Sequence, residues 1–320
     1  MIDPIINGLS NEQYHHGEEE RQYLSSSILK KYLISPKFYK HYIDNPTEEK
    51  SDALRFGSMF HDLMSCYAEH SDNHSEAVEQ WQRNIAVFEP PVNEKTGQPY
   101  GCSTKAYIGA YEAFIQVNDC KLIASNEEFT LVQTMARSLM FDSGATSEQV
   151  RKLLKWGKPE VSFFYETEDG IKLKVRPDLL TRKKIIDWKT TTSYDFTEEA
   201  INRTILKYGY HISAAMYQYV VHEITGKWLD FILVLVSKVA PHDCVMVDMC
   251  NYGYRYYPES DIVAIGPGAM EFKRLLDLHI KCTKENQWPG AEQAIPENNG
   301  VRIMEIQPPR YYQYKFIEEI

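Results

Sequence analysis

Hydrophobic and polar positions divide the chain into a first half patterned for helices and a second half in which strands alternate with helices. Apolar residues recur at helical spacing over 24–43 and 52–67, each starting beside serine or aspartate, the residue types that cap free helical amides. Helical spacing returns over 105–117, 127–141 and 147–154, while Pro90-Pro91 and Gly97-Gln98-Pro99 predict a loop across 88–103. From Glu160 the period changes to two. Residues 160–167 are rich in β-branched and aromatic types, Asp169-Gly170 suits a hairpin turn, and 171–175 returns as a second strand. Pro177 has no amide for a ladder, so pairing ends there and Asp178 is left near the strand terminus. A third strand is predicted over 184–190, helices over 197–206 and 212–225, strands over 228–239 and 244–249, and a helix over 260–281. The expected fold class is α/β (α+β): a mixed central sheet flanked by helices, with a helical N-terminal elaboration and no internal repeat.

One short stretch of this pattern carries chemistry. Side chains alternate along a strand, so Asp187 and Lys189 share a face, Trp188 points the other way, and the Trp188 carbonyl lies between them. Asp178 adds a second carboxylate on an adjoining strand. Hydrolysis of a phosphodiester requires an oriented, deprotonated water and compensation of charge growing on phosphorus oxygens, both of which a carboxylate-held divalent ion provides. Oxygen donors favour Mg²⁺ or Mn²⁺, as one or two ions per site. Lys189 would stabilise charge or help activate the water. A bare Asp-x-Lys pair also reads as a surface salt bridge, and it is the upstream Arg176-Pro177-Asp178 that separates the two readings. Glu160, at a strand boundary, either joins the metal or base machinery or simply caps the strand. His61 follows Gly57 by four residues on the helix over 52–67, so the two share a side. Ser213 and Tyr217 have the same spacing on a later helix, which fits either a functional face or core packing.

Arg176-Pro177-Asp178 with Asp187-Trp188-Lys189 resembles the PD-(D/E)xK nuclease signature, in the form carried by RecB-type and RecE (exonuclease VIII)-type phage and prophage exonucleases. Gly57-Ser-Met-Phe-His61 resembles the upstream GxxxH motif of those nucleases, and Tyr210 to Tyr217 resembles their late helical QxxxY motif, with Ser213 where the family has glutamine. Gly8 to Tyr14, Leu24 to Lys30 and Ser35-Pro36 resemble the opening of RecE nuclease domains; Gln287-Trp-Pro-Gly290 and the Pro308-Pro309 tail resemble their end. The resemblance implies one nuclease domain over 1–320, with the GxxxH motif in a mainly helical part over 1–155 and the catalytic α/β core over 156–320. It implies Asp178, Asp187, the Trp188 carbonyl and His61 as metal ligands, and Lys189 as the group assisting the nucleophile. Glu160 and Tyr217 would support them, and Arg176, Ser213 and Lys174 would face DNA. The implied reaction is processive 5′→3′ degradation of one strand of double-stranded DNA, giving a 3′ single strand for recombination with a RecT-like annealing protein. A ring-shaped homo-oligomer would explain processivity. Other readings are a nuclease of the same superfamily acting as a single-strand exonuclease or structure-specific endonuclease, and a nuclease-like DNA-binding module without turnover.

Composition changes this picture at four points. The 320 residues are 43% hydrophobic and 25% charged, enough for a sizeable core. No apolar run approaches the ~20 residues that span a bilayer and no secretion signal opens the chain, so a cytoplasmic setting is expected. The six cysteines lack a CxxC pair, which favours buried thiols over disulfides; Cys244, Cys250 and Cys282 are the set that the iron–sulfur cluster of some RecB-type relatives would draw on. A net charge of −10 opposes general adhesion to nucleic acid. Acidic residues concentrate at Glu18 to Glu20, Glu48-Glu49 and Glu318-Glu319. Basic residues cluster at Lys30-Lys31, Arg151 to Lys158, Lys172 to Arg176 and Arg182 to Lys184, most of them expected to flank the site.

Overall fold

A computed structural model describes residues 2–46, 51–71, 73–142 and 144–294. Glu48-Glu49, Pro308-Pro309 and Glu318-Glu319 lie outside the described residues. The described residues form two compact units, one made of 2–26 and the described residues of 51–274, the other of 27–46 and 275–294.

The first unit opens with a short strand, Ile5–Ile6 (β1), and a helix, Asn11–His16 (α1). The helix expected over 24–43 is broken: Ser26–Leu29 (α2) passes into a 3₁₀ turn over Lys30–Leu33, and Pro36–Asp44 (α3) begins afresh. Ser35 caps α3 by accepting the Phe38 amide, and Pro36 sits in its first turn, where proline starts a helix but cannot continue one. In the second unit, Tyr32, Tyr39, His279 and Trp288 stack together.

The helical part of the first unit follows as expected: Asp52–Glu69 (α4), His74–Arg83 (α5), Lys105–Val117 (α6), Asn126–Phe141 (α7) and Ala145–Trp156 (α8). Ser51 caps α4, and a Ser125/Glu128 capping box starts α7. Two strands missed by the pattern, Ile85–Val87 (β2) and Leu122–Ala124 (β3), form a small parallel pair.

The strand-rich part splits into separate sheets. Lys158–Pro159 (β4) precedes Ser162–Glu166 (β5) and Lys172–Val175 (β6), which pair around the Gly170 turn and join β1 in a three-stranded antiparallel sheet. Leu179–Leu180 (β7) and Lys184–Thr191 (β8) belong instead to a five-stranded mixed sheet with Asp230–Ser237 (β9) and Cys244–Asp248 (β10), in the order β10-β9-β8-β7-β4. β8 and β9 are parallel, which requires a crossover; Glu198–Tyr208 (α9) and Tyr210–Thr225 (α10) supply it. Gly209, in the left-handed region at φ +64°, is the joint between these helices. The helix expected over 260–281 begins later. Tyr254–Tyr257 (β11) and Ile262–Ile265 (β12) form a hairpin first, and Pro267–Glu285 (α11) follows.

The main core lies where α4, α5, α7 and α8 pack on one face of the five-stranded sheet, against Ile186, Trp188, Ile232, Val234 and Val236. α10 packs against β5, β6 and β9. β9 is buried along seven of its eight residues, as a central strand must be when both faces are covered. No helix among the described residues is long and apolar enough to cross a membrane.

Candidate active site

The alternation along β8 has the predicted result. Trp188 enters the core, leaving Asp187 and Lys189 together on the other face, with Lys189 Nζ 2.7 Å from Asp187 Oδ2. Lys189 Nζ also donates to the Trp188 carbonyl at 3.0 Å. Asp178 precedes β7 and is fixed by two contacts. Its Oδ2 accepts the Trp188 amide at 2.7 Å, and its Oδ1 lies 3.2 Å from Nδ1 of His61, which α4 delivers. Thus four predicted residues from three elements share one cluster, in which each carboxylate faces a protein cation.

Burial by itself would raise the Asp178 pKa, but His61, Lys189 and the Trp188 amide outweigh it and hold the carboxyl at about 2. Asp187 shifts the opposite way: burial raises it and the Asp178 charge adds to the rise, with Lys189 opposing. Burial also disfavours charge on His61 and Lys189, yet the two aspartates raise both. One carboxylate is firmly ionised beside a second whose charge is costly, and neighbouring cations pay for part of that cost. A hard divalent ion suits these donors by type: two carboxylates, a carbonyl and an imidazole. No group of three or more His, Cys, Asp or Glu side chains is gathered around a common metal position among the described residues. The six cysteines are free.

Glu160 occupies a left-handed backbone position at φ +52°, uncommon for a side chain with a Cβ, and its amide donates to the Asp178 carbonyl at 3.3 Å. Its carboxylate meets Arg176 Nε at 2.7 Å. Burial and the Asp178 charge push Glu160 up to about 7, against the pull of Arg176. Tyr217 reaches the same region from α10; burial, then Tyr14 and the two aspartates, raise its pKa well above the usual phenol range. Ser213 lies one turn earlier on α10 and is half-buried.

Two residues expected to face DNA are engaged inside the protein. Lys174 is buried, with Nζ donating to the carbonyls of Tyr14 at 2.6 Å and Glu20 at 3.0 Å. Arg176 lies over the Tyr14 ring, 4.2 Å from its centre, pairs with Glu160 and donates to Asn11. The cluster from Lys172 to Arg176 therefore fastens the N-terminal segment to β6, and does not flank the site as an exposed basic patch. Sequence reasoning also missed Asp62 and Tyr210. Burial raises both, Tyr210 to about 12, and each interacts with site charges: Asp62 with His61 and Arg176, Tyr210 with Lys189 and Asp187. Asp62 could have been suspected from its place beside His61; Tyr210 has only its helical register with Ser213 and Tyr217. At Gly57 an added Cβ would meet nothing within 4 Å, so tight packing does not explain the motif glycine.

A mixed sheet with helices around it, bearing an Asp/Asp-x-Lys cluster on one strand and at the start of its neighbour, defines a nuclease-type α/β core. The chain belongs to the family described as a PDDEXK-like domain of unknown function (DUF3799), whose model matches residues 25–294. Its fold is similar to the crystal structure of a "putative exonuclease" from Eubacterium rectale, at 16% identity and a TM-score of 0.51, over 95% of this chain and 97% of that one. No curated protein matches. Family membership and the clustered residues together support a nuclease.

Proposed function

We propose that this chain is a divalent-metal-dependent DNA exonuclease, degrading one strand of a duplex 5′→3′ and leaving a 3′ single strand for a recombination partner of the RecT type. The observation that carries the proposal is the compensated cluster of Asp178, Asp187, Lys189 and His61, assembled from the residue before β7, from β8 and from α4. The name of the Eubacterium rectale neighbour supports the exonuclease part. Polarity, processivity through a ring-shaped homo-oligomer and a single nuclease domain over 1–320 rest on the resemblance to RecE-type enzymes, and the cytoplasmic setting on the sequence pattern alone.

Asp178, Asp187, the Trp188 carbonyl and His61 would hold Mg²⁺ or Mn²⁺. When bound, such an ion lowers the pKa of water and neutralises phosphoryl charge. The side chains define the rest. Asp178 stays ionised across the working pH range and provides a fixed negative anchor. Lys189, with its raised pKa, remains an ammonium that can orient water and meet the developing negative charge, a role of electrostatic preorganisation more than of proton abstraction. Glu160, at about 7, can hold or release a proton near neutrality, with Arg176 fixing its carboxylate. Tyr217 remains a neutral phenol at the edge of the cluster.

The test is digestion of duplexes labelled at the 5′ or 3′ end, with and without a 5′ phosphate, in Mg²⁺ or Mn²⁺. Release of nucleotides from the 5′ end and survival of covalently closed circles are expected. Rapid cutting of closed circles would replace the exonuclease reading with an endonuclease, and no release in either metal would remove the catalytic reading.

A further inference from the structure

A second charged region lies at the far end of the same strands. β4 pairs with β7 through Lys158 with Leu180 and Pro159 with Leu179. Glu160 and Asp178 flank one end of this ladder, and Lys158 and Leu180 occupy the other. At about 3.3 Å per residue the two ends are roughly 7 Å apart along the strands. The far end opens into a groove of about 1000 Å³ between the last turns of α8 and the β7–β8 turn. None of His61, Glu160, Asp178, Asp187, Lys189 or Tyr217 lines it.

Five cations surround this groove: Lys152, Lys158, Arg182, Lys183 and Lys184. Glu148 holds Lys152 at 2.6 Å and Asp230 approaches Lys184 at 4.0 Å. No ion pair engages Lys158, Arg182 or Lys183 among the described residues. Leu153, Leu180 and Met246 form an apolar floor. Trp156, at the C-terminal end of α8, is 76% exposed, with Lys155 Nζ 5.9 Å from its ring centre, although a tryptophan gains more from burial than almost any side chain. The negative end of the α8 dipole works against an anion here, and the free cations outweigh it. Uncompensated positive charge concentrated on a chain of net charge −10 marks a place where an anionic partner is attracted and most of the surface repels it.

We infer that this groove binds single-stranded nucleic acid, with a base stacked on Trp156 and the backbone phosphates on Lys158, Arg182 and Lys183. Duplex bases have their faces covered by neighbouring pairs, so an open indole and an apolar floor suit unpaired bases, while the cations track phosphates. An acidic protein segment would satisfy the cations and leave Trp156 without a role. The site is separate from the hydrolytic cluster and stands whether or not that cluster cleaves DNA.

The test is fluorescence anisotropy of a labelled oligothymidylate against the full chain in EDTA, with oligouridylate as a second arm to separate DNA from RNA. Trp156→Ala should weaken binding about tenfold, a modest stacking loss, and Trp156→Phe should restore most of it. Replacing Arg182 and Lys183 together by serine should reduce the log–log salt slope by roughly 1.4, at about 0.7 per phosphate of a single strand. Affinity unchanged by both sets of variants, or polyglutamate competing as well as the oligonucleotide, would overturn the assignment. Nucleotide release in Mg²⁺ is scored separately, on the parent chain. Binding without release would defeat only the hydrolytic reading; release with an indifferent groove would defeat only this one.

Discussion

The two ends of the β4–β7–β8 ladder use charge in opposite ways. At the Asp178 end, carboxylates and cations are shielded from solvent and joined at 2.7 to 3.2 Å. At the Arg182 end, cations stand in solvent with few carboxylates near them. Low dielectric magnifies each interaction in the first region and makes every charge depend on its partner. In the second, each charge is nearly independent of the fold and free for something outside the chain. The contrast separates a place suited to chemistry from a place suited to holding a polymer, on strands that share backbone hydrogen bonds.

The comparison breaks most decisively through the first region. Lys189→Ala or Asp187→Asn should reduce nucleotide release by about 10²–10⁴-fold, the range for losing a positioned catalytic group, while oligonucleotide binding in EDTA stays within a factor of two or so of the parent. Acid-soluble product from a labelled duplex measures the first effect and anisotropy the second.

Two tryptophans sharpen it next. Trp188 is 1% exposed and Trp156 is 76% exposed. Chemical denaturation should show Trp188→Ala costing about 3–5 kcal/mol through cavity formation. Trp156→Ala should stay within about 0.5 kcal/mol of the parent, as at other solvent-facing positions.

Lys174 tests the intermediate case, a buried cation held by the carbonyls of Tyr14 and Glu20 and lying 4.7 Å from the centre of the Tyr14 ring. Burial lowers its pKa to about 8, so the unfolded chain binds the proton more strongly than the folded one. Its contribution to stability is fully present above the unfolded value near 10.5 and is lost as pH falls through about 8. Across that window the parent should gain up to about 3 kcal/mol on denaturation relative to Lys174→Met, which lacks the titration.

Much of the site could be read from the sequence, for a local reason. Strand alternation alone put Asp187 and Lys189 on one face and Trp188 on the other, and helical spacing put Gly57 and His61 on one side of α4. What escaped depends on contacts distant in sequence. Nothing near Lys174 shows that its ammonium ends on the carbonyls of Tyr14 and Glu20, so its basic cluster read as a DNA surface. The two residues of β4 are too few for any periodicity, yet they link Glu160 to Asp178. Helical spacing over 24–43 outweighed Ser35-Pro36, although a serine cap followed by proline announces a fresh helix start. Ile262–Ile265, the second strand of the β11–β12 hairpin, was absorbed into a helix because it is apolar at every position and offers no alternation to count.

The hydrogen bond from the Trp188 amide to Asp178 has a consequence for how this fold could change over time. Pro177 and the two-residue β7 leave that stretch of β8 short of backbone acceptors, and the aspartate side chain serves as the missing rung of the ladder. Asp178→Ala would strand a buried amide at about 1–3 kcal/mol, whereas Asp178→Asn keeps an acceptor in place. A lineage that lost the chemistry would therefore still be selected to keep an acceptor at 178. The residue's persistence in a relative would report on the integrity of the sheet as much as on activity, and Lys189, whose ammonium donates to the Trp188 carbonyl and pairs with Asp187 but fills no rung of the ladder, would be the better witness to a working nuclease.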